Sequence, residues 1–220
     1  MAKVIIFGIQ DFAQLAHFYL QYDSEHEVVA FSVNEKYLPE AKSFAGLPVV
    51  AFENIEQTYP AGDFSFFAPM SPSRMNRLRQ SVYLQIKEKG YELISYVSSK
   101  ATVFPGVPIG DNCFILEDNT IQPFTSIGNN VVLWSGNHIG HHSVIKDHVS
   151  FTSHVVLSGH CTVEPFCFFG VNATIRDRLH IAEGSLIAMS ASVTKDTEPW
   201  GVYKGSPAKK GDVSSKDLDF

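Results

Sequence analysis

Between Val103 and Val193 a bulky apolar residue occupies every sixth position without a break: Val103, Ile109, Ile115, Ile121, Ile127, Leu133, Ile139, Ile145, Phe151, Leu157, Val163, Phe169, Ile175, Ile181, Ile187 and Val193. A period of six fits neither the 3.6-residue face of a helix nor the two-residue alternation of a strand, and it argues against a β-sandwich with irregular strand spacing. It predicts a hexapeptide-repeat parallel β-helix, each hexad giving one short strand and one turn. Three hexads then close a triangular coil of 18 residues, and about five coils are present. Residues 18 apart become vertical neighbours, separated by about one strand spacing of 4.8 Å. Four places after each apolar residue the side chain is mostly small, as at Cys113, Asn119, Thr125, Ser143 and Ala173, which suits a narrow prism corner. Gly110, Gly128, Gly140 and Gly170 directly follow apolar positions. A single coil cannot bury its own apolar face, so stability must come from stacking.

Before Val103 the period changes. Strands are expected at Lys3–Gly8, Glu27–Val33, Leu47–Ala51, Asp63–Ala68 and Tyr91–Val97, with helices at Asp11–Tyr22 and Met75–Lys89. Such alternation predicts a small parallel α/β sheet, in which ligands sit beyond the carboxyl ends of the strands. The candidate loops are Gly8–Phe12 and Asn34–Lys36. Gly8-Ile9-Gln10-Asp11-Phe12 carries one glycine and not the G-x-G-x-x-G fingerprint, which speaks against a redox dinucleotide. Asp11 is open to two readings, a ligand contact or the N-cap of the first helix. The expected organisation is an α/β domain over 1–98, a β-helix over 99–198, and a capping loop and polar, mobile tail over 199–220.

Composition narrows the partners. A net charge of -6 argues against nucleic acid or an anionic membrane, and no apolar run reaches the roughly 20 residues of a bilayer span. The first ten residues look like a strand rather than a signal peptide. Three cysteines, all on the small-corner phase, read as core-filling thiols and point to a cytoplasmic chain.

Seven of the nine histidines lie between His138 and His180, and His142, His148, His154 and His160 recur every six residues. Their phase predicts outward-pointing turn positions on successive corners, so they are not expected to share a metal within one chain. Zinc would need imidazoles converging at about 2.1 Å. His141 stands apart because its vertical neighbour is Gly159. A histidine base on one coil and an unobstructed glycine N–H on the next would supply a proton acceptor and an oxyanion donor for acyl transfer. An exposed turn histidine beside a turn glycine is the plainer alternative.

The α/β start, the hexads and Gly205-Ser206-Pro207-Ala208-Lys209 together resemble the bacterial sugar O- and N-acyltransferases, in particular the sialic acid O-acetyltransferase and nucleotide-aminosugar N-acetyltransferase group. The resemblance implies a Rossmann-like N-terminal domain, a left-handed β-helix, a homotrimer, and acetyl-CoA in a groove between neighbouring prisms, with no metal. It places the general base at His141 in Gly136–Ile145, the oxyanion donor at Gly159, and CoA contacts at Gly159, Val171 and Met189; in the tail, Lys209 and Lys210 are candidates for the CoA phosphates, with solvated lysines the plainer alternative. Nucleotide-sugar contacts fall on Gln10, Asp11, Phe12, Val33 and Asn34, with His142 beside the base. The family's acidic neighbours of the base are replaced by Gly140 and His142, leaving Asn137, His142, His160 or a remote carboxylate to orient His141. A second family histidine falls on Ser150. The expected activity is acetyl-CoA-dependent acetylation of an amino group on a nucleotide-linked sugar. A sugar or sialic acid hydroxyl as acceptor, a non-catalytic binding module, and a γ-type carbonic anhydrase are the alternatives.

Overall fold

The structure, a computed structural model, describes residues 1–218. Asp219 and Phe220, the end of the expected mobile tail, lie outside the described residues. The chain forms two compact units, one of residues 1–71 and 81–96, the other of residues 72–80 and 97–220.

The first unit is a five-stranded sheet built from β1 (Lys3–Phe7), β2 (Glu27–Val33), β3 (Ser43–Phe44), β4 (Leu47–Ala51) and β5 (Ser65–Phe67), in the order β3-β4-β2-β1-β5. The pairs β1–β2, β1–β5 and β2–β4 are parallel; the short β3 runs antiparallel to β4. Continuous apolar runs make the inner strands: Val4, Ile5, Ile6, Phe31, Phe66 and Phe67 are fully buried. Helix α1 (Asp11–Tyr22) buries Ala13, Ala16 and Leu20. Its N-cap is Gln10, with no side-chain cap, so Asp11 is the first helical residue rather than the cap. There it lies where the helix macrodipole favours an acid. Helix α2 covers Arg77–Glu88. The strand expected over Tyr91–Val97 is reduced to Tyr96–Val97 and an isolated bridge between Phe66 and Leu93.

The second unit is a prism of three parallel sheets. Two-residue strands end on the hexad apolar residues, and they pair in an unvarying 18-residue register, such as Ser126↔Val144, Val132↔Ser150 and His138↔Val156. The apolar series fills the inside: Ile115, Leu133, Ile139, Phe151, Leu157, Phe169 and Ile187 are fully buried. Every turn from Asn112 to Ser190 places the residue three after the apolar position at positive φ; for non-glycines the values run from 52° to 66°. Asparagine, aspartate, histidine and glycine tolerate that left-handed conformation best. Gly140 is demanded by proximity instead, since a Cβ there would stand 2.5 Å from Gly159 N.

The last strand pairing departs from the 18-residue step, Leu186 pairing with Val202. Gly201–Lys204 then forms an antiparallel hairpin with Lys209–Ser214, so the segment read as loop and mobile tail extends one sheet of the prism instead. Tyr203 is buried in the prism core and anchors the hairpin, a long-range contact that the polar local sequence does not signal.

Residues 72–80 cover one corner of the prism. Arg79 is fully buried, its guanidinium donating to Ser150 Oγ at 3.0 Å, Asn130 O at 3.1 Å and Val149 O at 3.2 Å. Asn76 donates to Phe166 O and Cys167 O and accepts from Ser150 Oγ. This cover explains why His148, expected to point outward, is buried. Its Nδ1 lies 2.9 Å from Asn130 Nδ2, and Asn130 Oδ1 accepts from Asn112 Nδ2 at 2.8 Å. An amide nitrogen only donates, so His148 Nδ1 is the acceptor.

Candidate functional site

A different corner stays open. Its turns follow Ile121, Ile139, Leu157 and Ile175, and its exposed groups include Phe124, His141, His142, His160, Asp177 and Arg178. The phase of His142 and His160 stacks them vertically, ring centroids 4.8 Å apart and nearly parallel at 15°. Phe124, one coil earlier, lies 4.6 Å from the His142 ring. The His141 ring stands perpendicular to both, 5.2 Å from His142 and 5.0 Å from His160. Desolvation, followed by repulsion from Arg178, His142 and His141, holds the His160 ring below the ordinary imidazole range.

His141 is fixed from two sides. Its backbone N–H donates to Gln122 Oε1 at 2.9 Å, and its Nδ1 lies 3.0 Å from His142 Nδ1. Two nitrogens at that distance share one proton, so one ring donates and the other accepts. One face of the ring lies against Gly159 on the next coil. A Cβ at Gly159 would be 2.9 Å from His141 Cε1 and 3.0 Å from Nε2. Glycine therefore lets the imidazole come this close, and any Cβ would make the exposed ring shift.

The peptide nitrogen of Gly159 is unused. Its carbonyl accepts from Arg178 N at 3.0 Å, but among the described residues nothing accepts from its N–H. At a neighbouring corner the equivalent amides are capped by the coil above: Asp111 N donates to Asn129 Oδ1 and Asn129 N to Asp147 Oδ1. A half-buried turn thus presents an unpaired donor beside an exposed imidazole, the arrangement suited to a developing oxyanion.

The other residues singled out in the sequence are placed as follows. Val171 and Met189 are exposed vertical neighbours, Ser190 N donating to Val171 O. They occupy a third corner, so the structure does not bring them together with His141 and Gly159 within one prism. Lys209 is exposed in the terminal hairpin; Lys210 pairs with Glu198. Gln10, Asp11 and Phe12 follow β1, where Gly8 N donates to Ser32 O, and Asn34 follows β2. Asn34 Nδ2 and Glu35 N both donate to the Glu53 carboxylate, which shapes that loop. Ser150 belongs to the buried Arg79 network.

Gln122, Phe124 and Glu53 escape a motif-based reading. The first two could be found by stepping about one coil back from His141 and His142; Glu53 has no comparable signal. The expectation that the regularly spaced histidines do not jointly hold a metal leaves His142 and His160 as vertical neighbours, and the structure stacks those two at one corner. That expectation overlooks His141: ligand atoms of His141, His142 and His160 all lie within 4.8 Å of one another.

No helix among the described residues is long and apolar enough to cross a membrane. No family profile matches the chain. Among curated proteins it is similar to acyl-[acyl-carrier-protein]–UDP-N-acetylglucosamine O-acyltransferases. That of Sinorhizobium fredii is 26% identical over 106 residues, 45% of this chain and 39% of the relative. That of Gloeothece citriformis is 29% identical over 109 residues, covering 47% and 40%. The match therefore spans about two-fifths of those relatives. Among solved structures, a perosamine N-acetyltransferase from Caulobacter crescentus, in complex with CoA and GDP-perosamine, superposes with a TM-score of 0.86 at 20% identity, over 97% of this chain and 98% of that one. The acetyltransferase domain of PglB from Neisseria gonorrhoeae gives 0.80 at 17% identity, covering 96% and 100%. WeeI from Acinetobacter baumannii gives 0.78 at 18%, covering 96% and 100%. The chain shares their fold.

Proposed function

We propose that the chain is an acetyl-CoA-dependent acetyltransferase that acetylates an amino group of a nucleotide-linked sugar. The observation that carries the reading is the pairing of an exposed His141 ring with the unused N–H of Gly159 one coil away. The likeness in fold to an enzyme holding CoA and GDP-perosamine supports the same reading. So does the likeness to PglB, whose acetyltransferase domain is also seen with acetyl coenzyme A.

In this reading His141 Nδ1–H donates to His142 Nδ1, and the lone pair of His141 Nε2 is left bare beside Gly159. His142 does the work of the missing acidic neighbour, since it fixes the tautomer of the base. His141 Nε2 takes a proton from the acceptor amine as its nitrogen bonds to the thioester carbonyl carbon. Gly159 N–H stabilises the negative oxygen formed there. As the C–S bond breaks, the CoA thiolate leaves and the imidazolium returns a proton to it.

The finer parts of the reading are a homotrimer, a left-handed prism and a Rossmann-like N-terminal domain. The domains divide as 1–98, 99–198 and 199–220, and the chain resides in the cytoplasm. A trimer is supported by apolar side chains left exposed on the prism, notably Phe124 (74%) and Met189 (73%). A second prism would bring its Val171 and Met189 corner within reach of a thioester at His141, which one prism alone does not do. Lys209 meets CoA, and Gln10, Asp11, Phe12 and Asn34 meet the nucleotide sugar.

The similarity to O-acyltransferases favours a second reading, a sugar hydroxyl as acceptor. Purified chain incubated with acetyl-CoA and matched amino and hydroxy nucleotide sugars, with release of the CoA thiol followed, separates the two. Turnover with the amino sugar at least ten times that with its hydroxy counterpart is expected. A reversed preference establishes the hydroxyl reading, and no thiol release with either defeats both.

A further inference from the structure

The open corner holds more imidazole than acyl transfer uses. His160 has no part in the proton path, yet it completes a group of three rings whose ligand atoms lie within 4.8 Å of one another. His141 Nδ1 and His142 Nδ1 are already 3.0 Å apart. A tetrahedral zinc ion with bonds of 2.0–2.1 Å requires ligand nitrogens about 3.3 Å apart, so the spacing is near that of a site, and the exposed His142 and His160 rings must turn out of their parallel stack for their lone pairs to converge. All three residues are exposed, which leaves a fourth position open to water, and no carboxylate belongs to the group. An all-imidazole set selects borderline transition cations over magnesium or calcium.

We propose that His141, His142 and His160 form a binding site for a divalent transition cation of the zinc type, and that its occupancy silences acyl transfer. The silencing half rests on the functional reading above, whereas the binding half does not. Its chemistry follows from the ring of His141. If the cation takes Nε2, the lone pair that accepts the proton is consumed. If it takes Nδ1, the neutral ring must carry its hydrogen on Nε2, and that lone pair is again lost. The hydrogen bond between His141 and His142 is also lost whenever the cation takes Nδ1 of either ring. The cation is therefore an inhibitor competing with a proton, not a cofactor.

The test uses the full chain without a histidine tag. Cobalt(II) titration followed by visible absorption, and zinc titration followed by calorimetry, are expected to show one ion per chain, with tetrahedral cobalt bands. His160→Asn keeps a residue that tolerates the φ of 59° at that turn, and it should weaken zinc binding at least tenfold. His180→Ala, at an exposed histidine beside Glu164, serves as the control and should bind as wild type. Acetyl transfer in chelator should fall at least tenfold at saturating zinc and recover when chelator is restored. Absence of saturable binding, or equal binding by His160→Asn, overturns the site; full activity at saturating zinc overturns the silencing. No transfer in chelator while binding persists would instead sink the functional reading and leave the cation site standing.

Discussion

At Gly159 two demands meet in one residue. The imidazole of His141 occupies the space a Cβ would need, and the peptide N–H above it is kept free of the capping seen at Asp111 and Asn129. Gly159→Ala is therefore expected to push the ring away. Its kcat should fall at least tenfold, with a melting temperature within a few degrees of wild type, because Gly159 has an ordinary φ and borders the open side. Steady-state kinetics beside a thermal melt checks this; unchanged kcat would separate Gly159 from the chemistry. His142 makes a sharper case, because its φ of 60° favours asparagine over alanine. Asparagine also carries an oxygen where histidine carries Nδ1, so it can still accept from His141. His142→Ala should lower kcat about tenfold with little change in KM for acetyl-CoA, and His142→Asn should recover most of the loss. Equal loss in both variants would deny His142 its role in orienting the base.

At the scale of elements, the hexads were legible because a period of six admits one physical solution, and the 18-residue register follows from it. The small corner residues were legible for the same reason: Cys113, Cys161 and Cys167 are all buried and join no disulfide. Less legible was which corner would be covered. The phase that exposes His142 buries His148, and only the packing of residues 72–80 distinguishes them, through the Arg79 and Asn76 hydrogen bonds. The terminal hairpin escaped for a similar reason, since Tyr203 is held by contacts with the prism rather than by its neighbours in sequence. Burial of His148 has a consequence for pH. Desolvation lowers its pKa to about 4, against the ordinary 6.5. Between those values the unfolded chain binds more protons than the folded one, so stability falls as the pH drops from about 6.5 to about 4. Asparagine at 148 can still accept from Asn130 and tolerates the positive φ there. Denaturant melts of His148→Asn should show a flatter pH dependence across that window than wild type. An identical slope would mean the ring titrates equally in both states.

For the molecule as a whole, a repeat that stabilises itself by stacking leaves its turns free to vary, and the proposed chemistry falls at a corner left open. That division explains why the candidate base and its glycine were visible from arithmetic alone, whereas Gln122 and Phe124, which hold and flank the rings from the coil beneath, were not. It also explains why substrate preference is the least legible property: the proposed contacts Gln10, Asp11 and Phe12 lie where β1 passes into α1, and Asn34 lies in a turn shaped by Glu53, which no motif announces. The central claim is that the His141 imidazole accepts the proton in acyl transfer. Its most direct test is the single-turnover rate of acetyl transfer by His141→Ala beside wild type, in chelator and at saturating acetyl-CoA. A general base contributes about 10²–10⁴ in rate, so a loss of two to four decades is the predicted result. A variant that turns over within threefold of wild type would contradict it.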